Sequence, residues 1–277
     1  MTVLPYSRRI PGISARKGRA NSRMSAEDRS GRGAAHRSYR RLSPHAGERS
    51  FQLVVEQSDL WITVREDCSE DMEALALERV NEIRSQIRAW MTLEPAFAAS
   101  MVPVPVPAHA PEVIRRMCAA SSLMNVGPMA TVAGAVAALT ADRLARFSPD
   151  CLVENGGDSM LYSTRERVVG LLANPEGGTV VGLRIGKEEF PLSLCASSSF
   201  IGHSFSFGRG ELAVVRARDA FVADAAATAF CNMLQVPDDA GRVAEYAATF
   251  AHAGIDGVFV QCGENIGVWG NMELTAL

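Results

Sequence analysis

The chain has 277 residues, of which 47% are hydrophobic and 21% charged, a composition typical of a globular protein. No apolar run approaches the roughly 20 residues that span a bilayer, and the N-terminus has no secretory signal pattern, so we expect no membrane segment and a cytoplasmic location. The six cysteines lack CxxC spacing, which favours reduced thiols over a disulfide framework or a zinc site.

The net charge of −3 conceals an uneven distribution of charged residues. Residues 1–49 contain 12 Lys/Arg and 3 Asp/Glu, whereas residues 50–277 contain 16 and 28. We predict a basic disordered arm over residues 1–37, because this segment is rich in Arg, Ser and Gly and lacks apolar periodicity. Residues 38–277 are predicted to form one domain. An arginine-rich arm can bind nucleic acid, but the acidic remainder offers no cooperating phosphate-binding surface, so we do not expect nucleic acid as a partner.

The patterns before residue 125 predict a hairpin followed by helices. Phe51–Glu56 and Leu60–Val64 alternate apolar and polar residues, as paired strands do. Ser69–Trp90 and Pro111–Met124 have apolar residues at helical spacing. The alternating prolines from 103 to 107 predict an extended linker between these helices.

A Gly127-Pro128 turn leads into an alanine-rich helix that runs to Leu144. Helix N-termini present N–H groups and a partial positive charge, so this turn can seat a phosphate. The alternative is a core helix whose glycines permit close packing. The absence of charge from Asn125 to Thr140 predicts burial.

Cys151–Glu154 and Ser159–Tyr162 are predicted strands, joined at Asn155-Gly156-Gly157-Asp158. Asn-Gly is the strongest two-residue hairpin signal, so a plain turn is the alternative to a ligand-binding role. Further strands, in an antiparallel arrangement, are predicted at Val168–Leu172, Thr179–Ile185, Phe190–Cys195 and Glu211–Arg216.

The segment Ala196–Gly208 interrupts these strands with five serine hydroxyls, two glycines and His203. Small hydroxyl side chains beside glycine suit the close approach of a ligand to the backbone. A hydrogen-bonded structural histidine is the alternative role for His203.

A second alanine-rich helix, Phe221–Phe230, contains the polar residues Asp224 and Thr228. Four-residue spacing on a helix puts both side chains on one face, with Cβ atoms about 6 Å apart. Their oxygens suit Mg²⁺ or Ca²⁺. Alternatively, Asp224 caps the helix and Thr228 bonds to the carbonyl four residues earlier. A helix at Asp239–Ala253 and a hairpin of Gly257–Cys262 with Ile266–Trp269 complete the chain.

Taken together, three stretches resemble the ApbE-like superfamily, whose best-known members are periplasmic flavin transferases. The stretches are Val126–Ala135, Glu154–Asp158, and Gly202–Ala229 with its Asp-x-x-x-Thr helix. The resemblance implies an uncharacterised branch of that superfamily. It also implies an α+β fold of two β-rich halves, with long helices packed on antiparallel sheets in a T-fold-like duplication.

The resemblance further implies binding of a flavin nucleotide, FAD or FMN, with Mg²⁺ at its diphosphate, and FAD:protein FMN transferase-like activity. Asp224, Thr228 and the Ala130 carbonyl would hold the metal, and His203 and Asp158 would be catalytic. The implied cofactor-binding residues are Gly127, Met129, Ala130, Thr131, Asn155, Gly156, Gly157, Asp158, Ser197, Ser198, Ser199, His203, Ser204 and Ser206.

The chain departs from the transferase pattern at two positions. Ser206 stands where the transferases have the aspartate of His-Ile-Ile-Asp-Pro, and a serine cannot act as a base near neutral pH. Thr131 stands where they have the lysine of Ala-Lys-Gly, which removes a positive charge near the phosphates. The alternatives are therefore a ligand-binding protein without catalysis and a structural or assembly protein. The alanine-rich helices also favour a homo-oligomer.

Overall fold

A computed structural model describes residues 45–171, 181–199 and 210–276. The predicted arm and its boundary at residue 37 lie outside this part of the chain, and so do His203, Ser204 and Ser206.

The first half of the fold is a β-hairpin, a group of helices and a second β-hairpin. Its strands are β1 (Glu48–Val55), β2 (Ser58–Arg65), β3 (Cys151–Asn155) and β4 (Asp158–Tyr162). Its helices are α1 (Met72–Leu93), α2 (Pro95–Ala99), α3 (Glu112–Met124), the 3-10 helix Pro128–Thr131 and α4 (Val132–Leu144).

The second half repeats this order after two intervening strands. The intervening strands are β5 (Arg167–Leu171) and β6 (Val181–Ile185), followed by the 3-10 turn Lys187–Glu189. The repeat consists of β7 (Leu192–Ser197), β8 (Leu212–Ala217), α5 (Ala220–Met233), α6 (Asp239–Ala247), the 3-10 helix Ala248–Ala253, β9 (Ile255–Cys262) and β10 (Asn265–Gly270). The last strand is β11 (Glu273–Ala276).

One antiparallel sheet of eight strands unites the two halves, in the order β1-β2-β3-β4-β7-β8-β9-β10. Each half contributes four adjacent strands and inserts its helices between its second and third strand. The remaining three strands form a second sheet in the order β11-β6-β5. The prediction of an α+β fold with two β-rich halves is therefore confirmed.

The sequence patterns account for the two faces of the large sheet. Helix α1 begins at Asp71, whose carboxylate accepts the Ala74 N–H at 3.1 Å, and it buries a stripe at three- and four-residue spacing. Alternate residues of β2 are buried in the same core, and each such side chain contributes about 1.5–3 kcal/mol. These β2 residues are Leu60, Ile62 and Val64. On the opposite face, apolar residues of the small sheet pack against β4, β7, β8 and β9.

Three local predictions need correction. Asn155 belongs to β3 and pairs with Asp158, so the hairpin turn is Gly156-Gly157, both with positive φ. The first hairpin turns one residue earlier than its pattern suggested, at Glu56-Gln57. The predicted helix Asp239–Ala253 ends as an α-helix at Ala247 and continues as a 3-10 helix.

No single helix in the described ranges is long and apolar enough to cross a membrane. Glu112–Met124 and Pro128–Leu144 reach that length and composition only as a pair, and the two are bent by 104°.

Candidate functional site

The start of α4 and the first turn of α5 are in close contact at Gly134. A Cβ atom at this position would lie 2.4 Å from the Ala220 carbonyl oxygen and 2.8 Å from the Asp224 Cβ. Only glycine permits this approach. The glycine that sequence analysis associated with close packing therefore brings the N-terminus of one helix to the face of another that carries Asp224.

Asp224 is the fifth residue of α5 and does not cap it. Asp219 is the N-cap residue and accepts the Phe221 N–H at 2.9 Å, so the predicted alternative of a cap at Asp224 is wrong. The Asp224 Oδ2 instead accepts the Gly134 N–H at 2.8 Å, in the first turn of α4. Helix α4 has no side-chain cap of its own, so Asp224 supplies an acceptor for one of the N–H groups that a helix N-terminus leaves without a partner. That N–H group is consequently not available to a phosphate.

Thr228 follows Asp224 by one turn of α5 and is half-buried. A helical threonine that bonds to the carbonyl four residues earlier occurs at Thr92, 3.0 Å from the Arg88 oxygen. Within the described residues Thr228 makes no such bond. The 3-10 helix that contains Ala130 packs against α5, so the three predicted metal-ligand residues lie on elements in contact.

The β3–β4 hairpin approaches the same place. Asn155 Nδ2 donates to the Ala133 carbonyl at 3.2 Å, directly before Gly134, and pairs in register with Asp158. Asp158 is 7% exposed and Asp224 is 8% exposed. The fold therefore brings Asn155, Asp158 and Asp224 together around the start of α4.

Burial raises the pKa of Asp158 to about 7, and the Glu154 carboxylate adds to this against hydrogen bonds from the Cys195 thiol and the Ala196 N–H. Burial also raises the pKa of Asp224 well above its usual value, and the nearby Asp158 raises it further. A carboxyl group that titrates near neutral pH can donate or accept a proton in a reaction.

Cys195 on β7 is a member of this cluster that sequence analysis missed. Its Sγ lies 3.7 Å from the Ala220 carbonyl, one turn before Asp224. Burial raises the pKa of this thiol well above its usual value, with Asp158 and Asp224 adding to the effect, so it remains protonated. No sequence pattern distinguishes it from an ordinary buried strand cysteine.

Several residues predicted to bind the cofactor have structural partners. Gly127 packs on the Ser100 carbonyl, where a Cβ atom would be 2.0 Å from the oxygen. The buried Thr131 hydroxyl donates to the Pro128 carbonyl at 2.7 Å. Met129 and Ala130 are half-buried against the core.

The serines at the end of β7 lie beside the start of β8. Ser197 is paired with Ala213, and the Ser199 N–H donates to the Gly210 carbonyl at 3.1 Å. Ser197 and Ser198 are buried and Ser199 is half-buried. This part of the predicted ligand loop is described, whereas its histidine lies outside the described residues.

Neither Asp158 nor Asp224 lines the two surface cavities of about 490 and 340 Å³, of which the larger lies between α1, α3 and α4. Among the described residues, no group of three or more His, Cys, Asp or Glu side chains could hold a metal ion. The candidate site is therefore defined by its buried carboxylates and hydrogen bonds.

Comparison with known proteins agrees with the resemblance in the sequence motifs. A UPF0280 protein of Methanopyrus kandleri is 37% identical over 225 residues, covering 80% of this chain and 90% of that protein. A UPF0280 protein of Methanosarcina acetivorans is 34% identical over 212 residues, covering 76% and 83%.

Two solved structures share the fold. The apo flavinyl transferase ApbE of Pseudomonas stutzeri has a TM-score of 0.53 at 15% identity, covering 81% of this chain and 94% of that one. The ApbE protein of Thermotoga maritima has a TM-score of 0.55 at 12% identity, covering 77% and 94%. A family model described as AbpE bacteria matches residues 40–253. The chain therefore belongs to that family, an ApbE-like branch whose relatives include the UPF0280 proteins.

Proposed function

We propose that this protein binds a flavin nucleotide diphosphate together with Mg²⁺ at the contact between α4 and α5. The observation that carries the proposal is the placement of Asp224, which is buried on α5 and hydrogen-bonded to the Gly134 N–H at 2.8 Å. This bond fixes one carboxylate oxygen and orients the other. Such an anchored carboxylate is the kind of oxygen ligand that Mg²⁺ uses beside a phosphate.

The donor set around Asp224 fits a small divalent cation. Asp224, the Thr228 hydroxyl and the Ala130 carbonyl would hold it through oxygen atoms. When bound, Mg²⁺ would neutralise phosphate charge and orient the diphosphate. Asn155 contributes by holding the β3–β4 hairpin to Ala133, beside the amide that anchors Asp224.

For the bound FAD we propose transfer of FMN to a protein hydroxyl. The hydroxyl oxygen bonds to the FMN phosphorus, the P–O bond between the two phosphates breaks and AMP leaves, so a nearby group must accept the hydroxyl proton. Ser206 cannot supply it, since a serine hydroxyl is not a base near neutral pH. Asp158, with a pKa of about 7, is the described carboxyl group that fits this role. His203 is the other candidate from the sequence motifs.

Binding without transfer is the second candidate function, and one observation favours it. The position of the transferase lysine is Thr131, whose hydroxyl is buried and already bonded to the Pro128 carbonyl. That side chain cannot contact a phosphate without breaking this bond. Without the positive charge of that lysine, the site stabilises the departing phosphate group less well.

Titration of the full chain with FAD, with and without Mg²⁺, tests the binding proposal. We expect flavin fluorescence to report binding that weakens at least tenfold in EDTA or in Asp224→Asn. Ligand at 100 times its Kd should raise the free energy of unfolding by about 2.7 kcal/mol. The exposed Asp238→Asn variant is the control and should bind like the wild type.

Covalent flavin after denaturation, measured by intact mass on candidate acceptor proteins and on the chain itself, separates transfer from binding. Saturable FAD binding without any covalent product would favour the second candidate. Absence of any Mg²⁺-dependent flavin binding would overturn the proposal.

A further inference from the structure

Asp158 has one carboxylate oxygen that lacks a partner in the described part of the chain. Its Oδ1 is buried and accepts no hydrogen bond, on a side chain that is 7% exposed. The Asp256 Oδ1 is also buried without a hydrogen bond, but it lies 3.1 Å from the Arg216 Nε, so its charge is matched. Asp158 has no such cation among the described residues.

A short series of contacts connects Asp158 to Asp224. Asp158 pairs in register with Asn155, whose amide reaches the Ala133 carbonyl, and the next residue, Gly134, donates to Asp224. On the other side, the Cys195 thiol donates to the carbonyl of Ala220 on α5 at 3.7 Å, and its interaction with Asp158 lowers the pKa of that carboxyl group. The two carboxylates are therefore buried close enough to interact, since the charge of Asp158 raises the pKa of Asp224.

Two buried carboxylates without a basic partner require something that offsets their charge repulsion and their lost hydration. A like charge nearby disfavours ionisation of both groups, and an isolated buried carboxylate loses its hydration without a replacement. A native buried polar atom that lacks a partner calls for an explanation, of which an ion is one and a proton shared by the two groups is another. A divalent cation would satisfy both carboxylates at once.

We propose that Asp158 is a second carboxylate ligand of the cation at Asp224, so that the chain binds a divalent cation before any nucleotide. This inference rests on the proposed function, because it takes Asp224 as a metal ligand. A cation-bound Asp158 does not accept the hydroxyl proton, so that role in transfer passes to the other candidate, His203. Two carboxylates raise the charge that the site offers, and ligand charge sets cation affinity. Cys195 stays outside the ligand set, because Mg²⁺ selects oxygen and the thiol is protonated.

Binding of Mn²⁺ alone to the chelator-stripped full chain, read by the loss of free Mn²⁺ signal in electron paramagnetic resonance, tests the inference. We expect one Mn²⁺ per chain without nucleotide. Asp158→Asn and Asp224→Asn should each weaken binding at least tenfold, whereas Asp238→Asn should not. Asp158→Glu, which keeps the carboxylate, should bind Mn²⁺ more tightly than Asp158→Asn. Circular dichroism and the Tm in EDTA establish that each variant is folded.

Wild-type affinity for Mn²⁺ in Asp158→Asn would overturn the inference. So would Mn²⁺ binding by the wild-type chain only when FAD is present, although the proposed function would survive that result. If FAD with Mn²⁺ binds to Asp158→Asn but not to Asp224→Asn, the proposed function stands without a second carboxylate. If the wild-type chain binds neither Mn²⁺ nor FAD, both proposals fail.

Discussion

Two pairs of buried carboxylates in the described part of the chain have opposite surroundings. Glu48 and Asp150 are 3% and 1% exposed, and Arg167 lies between them, with Nη1 3.0 Å from Glu48 and Nη2 3.3 Å from Asp150. Asp158 and Asp224 are buried to a similar degree, but among the described residues they contact backbone amides and a thiol.

This difference separates a structural cluster from a candidate site. The Glu48–Asp150–Arg167 cluster joins the start of β1 to the start of β5. Its buried arginine contacts both carboxylates, and Arg165 supplies a second positive charge at the edge of the cluster. The Asp158–Asp224 pair joins the β3–β4 hairpin to α5 without such a match. Removing the cation from a buried acid that has one destabilises the fold, whereas a buried acid that lacks a cation is a candidate for binding a ligand.

We call Glu48 and Asp150 the matched pair and Asp158 and Asp224 the unmatched pair. The largest loss of stability should come from removing Arg167, the arginine of the matched pair. Arg167→Met leaves Glu48 and Asp150 buried without their main cation, and breaking such a pair typically costs about 3–5 kcal/mol of unfolding free energy. Urea denaturation measures this loss. The variant would leave the matched pair without a buried cation, like the unmatched pair. The loss would then measure how much unfolding free energy a buried acid pair without its cation costs in this fold.

Arg165→Met is the control for that prediction. The Arg165 side chain is 39% exposed and lies 3.4 Å from Asp150, so its removal should cost no more than about 1 kcal/mol. Equal losses for the two variants would show that the position of Arg167 between the two carboxylates has no special effect.

Gly134→Ala tests the packing that places Asp224. The added methyl group would clash with the Ala220 carbonyl and the Asp224 Cβ, so we expect a loss of about 1–3 kcal/mol and weaker Mn²⁺ binding. Gly241→Ala is the matched control, because nothing lies within 4 Å of a Cβ there and alanine favours the α6 helix. Unchanged Mn²⁺ binding in Gly134→Ala would separate the cation site from the α4–α5 contact.

Acid should remove the stabilising contribution of Asp150 only at low pH. Burial would raise the pKa of Asp150, but hydrogen bonds from Thr164 and Ser163 and the charge of Arg165 lower it from 3.8 to about 2. A lowered pKa contributes stability that is complete above about pH 4 and is lost as the pH falls towards 2.

We expect the Asp150 contribution to be about 1–2 kcal/mol in urea titrations between pH 6 and pH 2. Asp150→Asn should be less stable at pH 6 and should lose less stability on acidification. Parallel pH profiles for the variant and the wild type would show that Asp150 is not the titrating group.

Local patterns predicted the strands and helices of this fold well, because alternation and helical spacing act over a few residues. Asn155 shows the limit, since Asn-Gly and Gly-Gly are both good turn pairs and the structure uses Gly156-Gly157. The repeat of hairpin, helices and hairpin came from the motif resemblance. No local pattern reveals that β4 and β7 are neighbours across the 29 residues between them.

The contacts of the candidate site could be predicted from the sequence only in part, because they join distant residues. The helix pattern marked Asp224 as a candidate metal ligand, which stays a prediction, but it could not reveal the bond to Gly134, 90 positions away. Arg167 and Glu48 are 119 positions apart, and each reads locally as an exposed charge at the end of a strand. Residues so far apart in the sequence meet because the order of the strands in the sheet brings them together.

The smallest effect on stability should come from the unmatched pair itself. Asp158→Asn keeps the shape of the side chain, removes one of two like charges and places an amide near Asp224, so the unfolding free energy in EDTA should change by less than about 1 kcal/mol. Asp150→Asn is the matched comparison and should lose more, because it removes an acceptor from Thr164 and Arg167. If Asp158→Asn costs 2 kcal/mol or more in urea, on the scale of a lost charged hydrogen bond, its bonds with Cys195 and Ala196 hold the fold together. Both carboxylate pairs would then be structural, and the absence of a basic partner would no longer mark a cation site.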